Sequence, residues 1–452
     1  MSRRNPAPGG LARFVSFVLA PAAVAGLTAL AACGGDGIGP PRVQPPAAPA
    51  ANDPAYAVDG VTRWNLIGNA LTPGQDTLAV DVTAPAGTEV VDVWVAGGAG
   101  QRLALADGHF TGALDIGALP PGEHELLFAA DGDTTAFARA TFLRSHPLYV
   151  MMSTDWDFAE PGAEALAAHD RLRTDHPAIR FTQFIGPYTF TDANVTEARR
   201  AELVTWLTSR RDMHGDEIGL HIHPWCSFVT HAGLTCITDA STVYANDASG
   251  YTVKLEAYGQ AGMETLLADA KAIFAERGLG TPITFRAGGW TASIDTLKAL
   301  AAQGFVADTS ANNWARMEEW SRPQITELWR WNMTNWSQIG DTSQPYYPNT
   351  NDKQSGAAPH VDLLEVPDNA IMVDYVSTQE MIDIFAANWD GTPLAEPTTY
   401  MMGFHPSPSF STEEYRRLDG ILDHADRFQA ANHAGPVVYE VLKDLPMVWP
   451  AP

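Results

Sequence analysis

Acidic and histidine side chains spaced two residues apart are the features of this sequence that could carry chemistry. Asp155 and Asp157 follow the apolar run 148–152, and His221 and His223 lie in a second extended stretch. Residues i and i+2 share one face of an extended chain, so each pair can point into one site. Two imidazoles and a carboxylate can hold a catalytic zinc ion with one position left for water. Taken alone, an Asp-x-Asp is more often part of a turn, and a His-x-His is more often structural.

An arginine and a further histidine occupy similar positions. Arg286 follows Thr-Phe and precedes Ala-Gly-Gly-Trp, which ends at Trp290. Glycines permit a tight bend there, with the guanidinium directed inward. His405 ends the apolar stretch 400–404. The alternatives are an ion pair at the rim for Arg286 and a satisfied core position for His405.

The elements that position these residues follow from the pattern after residue 146. Short apolar strands alternate there with helical patterns over 192–211, 255–277 and 293–303, and capping boxes begin at Ser377 and Ser411. Such alternation predicts an α/β fold with a parallel sheet, open or closed into a barrel. Sites on these sheets gather at the carboxyl ends of the strands, where all the candidate residues lie.

The pattern of apolar and polar residues is different before residue 146. Residues 60–145 have a period of two in candidate strands such as 77–82, 90–95, 125–128 and 137–142, with glycine-rich turns between them. Short strands at this spacing predict a small β-sandwich of immunoglobulin-like size. This part contains no catalytic residue set, so we interpret it as a spacer or a binding module.

The beginning of the chain predicts an export signal and a cellular location. Arginines precede an apolar stretch that ends in Leu-Ala-Ala before Cys33, which resembles the lipobox of bacterial lipoproteins. We therefore expect a signal peptide over 1–32, a lipidated Cys33, and a disordered Gly/Pro/Ala tether up to residue 59. The alternative is a transmembrane helix, against which the proline and glycine within the stretch argue. The predicted location is the cell envelope, with outer-membrane sorting in a Gram-negative host.

The charge balance limits the partners. A formal net charge of −25 over 452 residues argues against nucleic acid as a partner, because nucleic-acid binding relies on lysine and arginine clusters. An acidic surface also repels anionic lipids, so membrane attachment would come from the lipid on Cys33. Cys226 and Cys236 could pair in an oxidising compartment; two free thiols are the alternative.

Taken in this order, the motifs resemble the polysaccharide deacetylase family, also called carbohydrate esterase family four. That family has Asp-Asp after its first strand, then Glu-Ile-Gly-x-His, then an arginine motif, and finally Leu-x-His. The resemblance covers residues 146–448. The chain departs from it in three places: Trp156 separates the aspartates, Trp225 stands where a second histidine is usual, and Ala-Gly-Gly-Trp follows the arginine. A further family motif is matched only in part, around Asp308.

The resemblance implies an irregular (β/α) barrel of about seven strands after the β-sandwich, at residues 146–452. It implies that Asp157, His221 and His223 hold a divalent metal, expected to be Zn²⁺. The remaining roles that it implies are catalytic for Asp155, Arg286 and His405 and substrate-binding for Trp225 and Trp290.

The implied reaction is removal of N-acetyl or O-acetyl groups from an extracytoplasmic glycan, with Asp155 as general base and His405 as general acid. Two alternatives remain open. One is a lipoprotein that binds glycan without turning it over, and the other is an amidase or esterase that acts on a non-sugar substrate.

Overall fold

A computed structural model of the protein describes residues 44–245, 247–320 and 326–452. These residues lie in one compact unit, Pro41–Pro452. The predicted signal peptide and Cys33 lie outside the described residues. Within the described part of the chain, no helix combines the length and the apolar character needed to cross a bilayer.

Two antiparallel-rich sheets come first. The strands are β1 (Ala57–Asp59), β2 (Trp64–Leu66), β3 (Thr77–Thr83), β4 (Val91–Val95), β5 (Gly100–Arg102), β6 (Ala104–Ala106), β7 (His109–Asp115), β8 (Gly122–Ala130) and β9 (Ala138–Ser145). The four-stranded sheet has the order β1-β3-β7-β6 and the five-stranded sheet the order β2-β9-β8-β4-β5. Alternate residues of strands such as β3 are buried, and side chains from both sheets share one apolar core, which confirms the predicted β-sandwich.

The structure differs from the predicted tether over residues 47–59. Ala47 bridges to Thr135, β1 pairs with β3, and the ring of Tyr56 stacks on Phe137 at 3.8 Å. Tyr56 and Val58 supply apolar anchors that the surrounding Gly/Pro/Ala composition hides. The segment before β1 is therefore part of the sandwich. The predicted domain boundaries at residues 60 and 146 stay predictions.

A parallel sheet of the predicted barrel type follows. Its strands are β10 (Leu148–Asp155), β11 (Phe181–Ile185), β12 (Glu217–Ile222), β13 (Thr284–Ala287), β14 (Ala307–Asp308), β15 (Leu364–Glu365), β16 (Thr398–Phe404) and β17 (Val437–Tyr439). Their order is β15-β14-β13-β12-β11-β10-β16, and β17 pairs with the start of β10. Strand β10 is buried along its whole length, as expected for a parallel strand covered on both faces.

Helices connect these strands and cover the sheet. They are α1 (Ala163–Asp175), α2 (Tyr188–Thr191), α3 (Glu197–His214), α4 (Cys226–His231), α5 (Gly259–Glu276), α6 (Ile294–Ala302), α7 (Thr326–Asn335), α8 (Thr378–Asn388) and α9 (Thr412–Asp426). The capping boxes predicted at Ser377 and Ser411 are both formed. The helix predicted from residue 192 begins at Glu197 instead, because Thr196 provides its N-cap.

An irregular segment, residues 366–373, links the two edge strands of the parallel sheet. Its Asp368 N–H donates to the Ala311 carbonyl beyond β14, and its Val373 N–H donates to the Gly403 carbonyl in β16. The segment therefore closes the curled sheet without forming a regular strand. The prediction of an α/β fold with an irregular barrel of about seven strands is confirmed.

Candidate active site and metal centre

The carboxyl end of β10 places two aspartates in one narrow cavity. Asp155 is the last residue of this strand, and both Asp155 and Asp157 line the cavity. Trp156 points away from it and is only 1% exposed, packed with Tyr188 in an apolar cluster. The intervening tryptophan therefore leaves both carboxylates on the same side, as the i, i+2 spacing predicts.

Three predicted ligands meet at this cavity. Asp157 Oδ1 lies 3.1 Å from His221 Nε2 and 3.4 Å from His223 Nε2. One ligand atom from each of the three residues lies within 4.8 Å of the other two. Both histidines are almost fully buried. The arrangement has the composition of a catalytic metal site with a position left open.

The hydrogen bonds of the two imidazoles test whether a metal fits. Nδ1 of His221 donates to the Arg286 carbonyl and Nδ1 of His223 to the Tyr251 carbonyl, both at 2.9 Å. A carbonyl only accepts, so each proton resides on Nδ1 and each Nε2 presents a lone pair. Two lone pairs and a carboxylate then face one another, and a cation between them removes the repulsion. Metal-bound histidines commonly have such carbonyl partners, so the residues fit a divalent ion.

The charge state of Asp157 agrees with this arrangement. Burial alone would raise the pKa of the Asp157 carboxyl, but the positive charge of His405 is the largest opposing influence, and that pKa is held well below its usual range. Asp157 is therefore a carboxylate at neutral pH.

A buried guanidinium orients the first aspartate. Arg286 donates from Nη1 to Asp155 Oδ1 at 3.0 Å and to Ser153 Oγ at 2.8 Å. Its Nη2 lies 3.4 Å from Asp368 Oδ2, which also accepts a hydrogen bond from the Trp290 indole at 3.0 Å. Arg286 and Asp368 are both inaccessible to solvent. The arginine thus fixes one oxygen of Asp155, a residue that lines the cavity.

The carboxylate of Asp374 holds His405, the candidate general acid. His405 donates from Nδ1 to Asp374 Oδ2 at 2.6 Å, while its Nε2 lies 3.9 Å from Asp157 Oδ1. Burial would lower the pKa of His405, but the carboxylates of Asp374 and Asp157 outweigh it and raise the pKa to about 10. The imidazole is therefore charged at neutral pH, with an Nε2 proton facing the cavity.

The sequence analysis did not include Asp374, and the partial motif match that it found falls on Asp308. Asp308 pairs with Glu365 between β14 and β15 and does not contact His405. The signal for Asp374 was the apolar run 370–373 that it ends, which resembles the run before Asp155. Tyr251 was also missed, although its hydroxyl donates to Asp157 Oδ2 at 2.8 Å.

Aromatic side chains form the wall of the cavity. Trp290 lines the cavity and is only 2% exposed, whereas the half-buried Trp225 lies outside the lining and donates its indole N–H to the Asp157 carbonyl at 3.0 Å. The substrate-binding roles of these two residues stay predictions. Cys226, which follows Trp225, forms a disulfide with Cys236. The cavity is lined by Asp155, Asp157, His221, His223, Tyr244, Tyr251, Gly289, Trp290, Tyr375 and His405.

Comparisons with known proteins find likenesses only in structure. No family model and no curated protein sequence matches the chain. A family 4 carbohydrate esterase from Streptomyces lividans in complex with acetate is 11% identical, with a TM-score of 0.33, over 66% of this chain and 95% of that one. A putative polysaccharide deacetylase from Mycobacterium smegmatis is 14% identical, with a TM-score of 0.34, over 65% and 86% of the two chains.

A 4-alpha-glucanotransferase from Thermococcus litoralis is 8% identical, with a TM-score of 0.35, over 65% of this chain and 38% of that one. The matches thus include the polysaccharide deacetylase family that the motifs resemble. At such identities and TM-scores, a functional conclusion has to rest on the residues of the site.

Proposed function

We propose that this chain is a metal-dependent hydrolase that removes acetyl groups from the amino or hydroxyl groups of an extracytoplasmic polysaccharide. One observation carries the proposal: a three-residue metal site, an arginine-held carboxylate and a charged histidine line a single cavity. Metal-assisted hydrolysis of an acetyl group uses these three parts at one place, because it combines polarisation of a carbonyl with a base and an acid.

Asp157, His221 and His223 would hold the ion, which we propose to be Zn²⁺ because of its preference for such ligands. When bound, the ion supplies a polarised acetyl carbonyl and a more acidic water. His223 beside Asp157 supports an enzyme over a glycan-binding relative, since the ligand set is complete although Trp225 stands at the usual histidine position.

Each remaining side chain has a defined part. Asp155, oriented by Arg286, takes a proton from the attacking water while the water oxygen bonds to the acetyl carbon. His405 gives its Nε2 proton to the leaving nitrogen or oxygen as that atom parts from the acetyl carbon. Asp374 holds the His405 ring in place from the opposite side. The products are acetate and the free amine or alcohol. The proton held by Asp155 is released to solvent, and solvent returns a proton to His405.

The two aspartates provide the test, because a general base and a metal ligand fail differently. Asp155→Asn should keep bound metal and fold while lowering acetate release from acetylated glycans by roughly two to four orders of magnitude. Asp157→Asn should lose metal and activity together. Metal lost from Asp155→Asn alone would reverse the two roles. A wild-type protein that binds metal and glycan but releases no acetate from a panel of acetylated glycans would refute catalysis.

A histidine pair tests the ligand assignment. His223→Ala should lose metal, because two remaining ligands hold an ion poorly. His231→Ala is the matched control, since His231 is exposed and pairs with Asp269 outside the cavity. Equal metal content in the two variants would remove His223 from the ligand set.

A further inference from the structure

One tyrosine contacts two of the three candidate metal ligands. The Tyr251 hydroxyl donates to Asp157 Oδ2 at 2.8 Å, and its backbone carbonyl accepts the Nδ1 proton of His223 at 2.9 Å. The Tyr251 ring also lies against the His223 ring, with centroids 4.3 Å apart. A single residue thus constrains a carboxylate and an imidazole of the same site.

The two oxygens of Asp157 have separate surroundings as a result. Oδ1 faces both histidine Nε2 atoms, whereas Oδ2 accepts the tyrosine proton. A carboxylate held in this way offers one oxygen to a cation and cannot rotate freely. On the other side, the carbonyl of Tyr251 sets the tautomer of His223, so that Nε2 carries the lone pair.

Tyr251 ends a compact turn, residues 247–251, that is held by its own side chains. The Asp247 carboxylate accepts from the backbone N–H of Ser249 at 2.9 Å and from its hydroxyl at 2.7 Å. The Ser249 hydroxyl accepts from the Tyr251 N–H at 3.2 Å, and the Ser249 carbonyl accepts from the Cys226 N–H at 2.8 Å. The last bond ties the turn to the chain that follows His223.

The same turn packs against the disulfide. Gly250 has a φ of +91°, and a Cβ at this position would lie 2.3 Å from the Pro224 carbonyl oxygen and 3.2 Å from Cys236 Sγ. Only glycine permits so close an approach with this backbone conformation. The Cys226–Cys236 bond therefore lies directly against the turn that carries Tyr251.

We infer that Tyr251 is a positioning residue of the candidate metal centre and that the Cys226–Cys236 disulfide holds it in place. Metal affinity then depends on the tyrosine hydroxyl and on the oxidation state of the disulfide. The inference rests on the proposed function in that it requires the metal centre. It also explains how His223 can be held as a ligand: the carbonyl of Tyr251, which is not itself a ligand, fixes the orientation of its ring.

The first test removes only the hydroxyl. Tyr251→Phe should bind Zn²⁺ about 10- to 100-fold more weakly in competition with a chelator, the range found when such outer partners are lost. The absorption spectrum of the Co²⁺-loaded protein should also change, since it reports ligand geometry. Tyr347→Phe is the matched control: its hydroxyl donates to the Trp449 carbonyl at 2.9 Å, away from the ligands and the disulfide, and its affinity and spectrum should match the wild type.

The second test is a double-mutant cycle with the disulfide. Replacing Cys226 and Cys236 together by Ser should weaken Zn²⁺ binding in the wild-type background and weaken it less in Tyr251→Phe, because the hydroxyl contact through which the disulfide partly acts is already absent there. Fully additive losses would overturn the link to the disulfide. Wild-type affinity and an unchanged Co²⁺ spectrum in Tyr251→Phe would overturn the role of Tyr251 and leave the metal centre standing. A wild-type chain that binds no metal would overturn the centre itself.

Discussion

The free energy of unfolding of Asp368→Asn, relative to that of the wild type, should increase as the pH rises. Asp368 is inaccessible to solvent, accepts a hydrogen bond from the Trp290 indole at 3.0 Å and lies 3.4 Å from Arg286. Asn has the same shape as a protonated Asp and can keep the bond to Trp290 through its carbonyl oxygen. The substitution therefore removes the ionisation of this buried group with little change in packing.

The magnitude follows from the pKa of Asp368. Burial raises this pKa from 3.8 to about 6, although Arg286 opposes the rise. A carboxyl whose pKa is higher in the folded state contributes stability below its unfolded pKa, and that contribution is lost as the pH rises to the folded value. Two pKa units correspond to about 3 kcal/mol. Of this, about 2 kcal/mol falls between pH 4.5 and pH 8.

The assay is urea unfolding of wild type and Asp368→Asn, both metal-free, at pH 4.5 and pH 8. The free energy of unfolding of the variant minus that of the wild type should increase over this interval. Asp170→Asn is a control that should stay flat: burial would raise the Asp170 pKa, but His169 and Arg210 outweigh it and hold the pKa low, so its contribution is almost constant between pH 4.5 and pH 8. A difference that stays constant or falls for Asp368→Asn would refute the assignment of a raised pKa.

Three further predictions concern other parts of the chain. Gly288→Ala should weaken metal binding, because a Cβ there would lie 2.6 Å from the His223 ring; Gly340→Ala, with nothing within 4 Å, should not. Burial would lower the pKa of His176, but two aspartates outweigh it and raise the pKa. The stabilising contribution of His176 is therefore present below pH 6.5 and lost above the raised pKa. Calorimetry should show the melting temperature of the wild type falling towards that of His176→Gln as the pH rises through the raised pKa. Cys33→Ser should abolish metabolic labelling with a radioactive fatty acid; unchanged labelling would remove the predicted anchor.

The parts of the site that sequence could predict all lie at the ends of regular strands. Asp155 ends β10, His221 lies in β12 and His405 follows β16, each after a run of apolar residues. Parallel strands bring their carboxyl ends to one edge, so a strand pattern and a polar residue at its end suffice to place these side chains together. The barrel was predictable for the same reason, since alternating strands and helices permit few arrangements.

The parts that could not be predicted lie in irregular segments. Asp368 lies in the segment 366–373, and Tyr251 ends the turn 247–251. Neither stretch has a periodicity that indicates a direction for its side chains. Their contacts depend on tertiary packing, such as the hydrogen bonds that join 366–373 to β16. The segment 47–59 was missed similarly, since Tyr56 meets Phe137 only once the sandwich is formed.

The positions and contacts of the two tryptophans that interrupt the family motifs explain why the candidate site can form around them. Trp156 is directed into the core, so the aspartates on either side of it both reach the cavity. Trp225 stands at the usual position of the second histidine and donates to the carbonyl of Asp157. It therefore supports the backbone of one candidate ligand, while His223 lies two residues after His221, on the same face of the chain. His223 can thus complete the candidate ligand set with Asp157 and His221, so a departure in the motif does not by itself remove the candidate metal site.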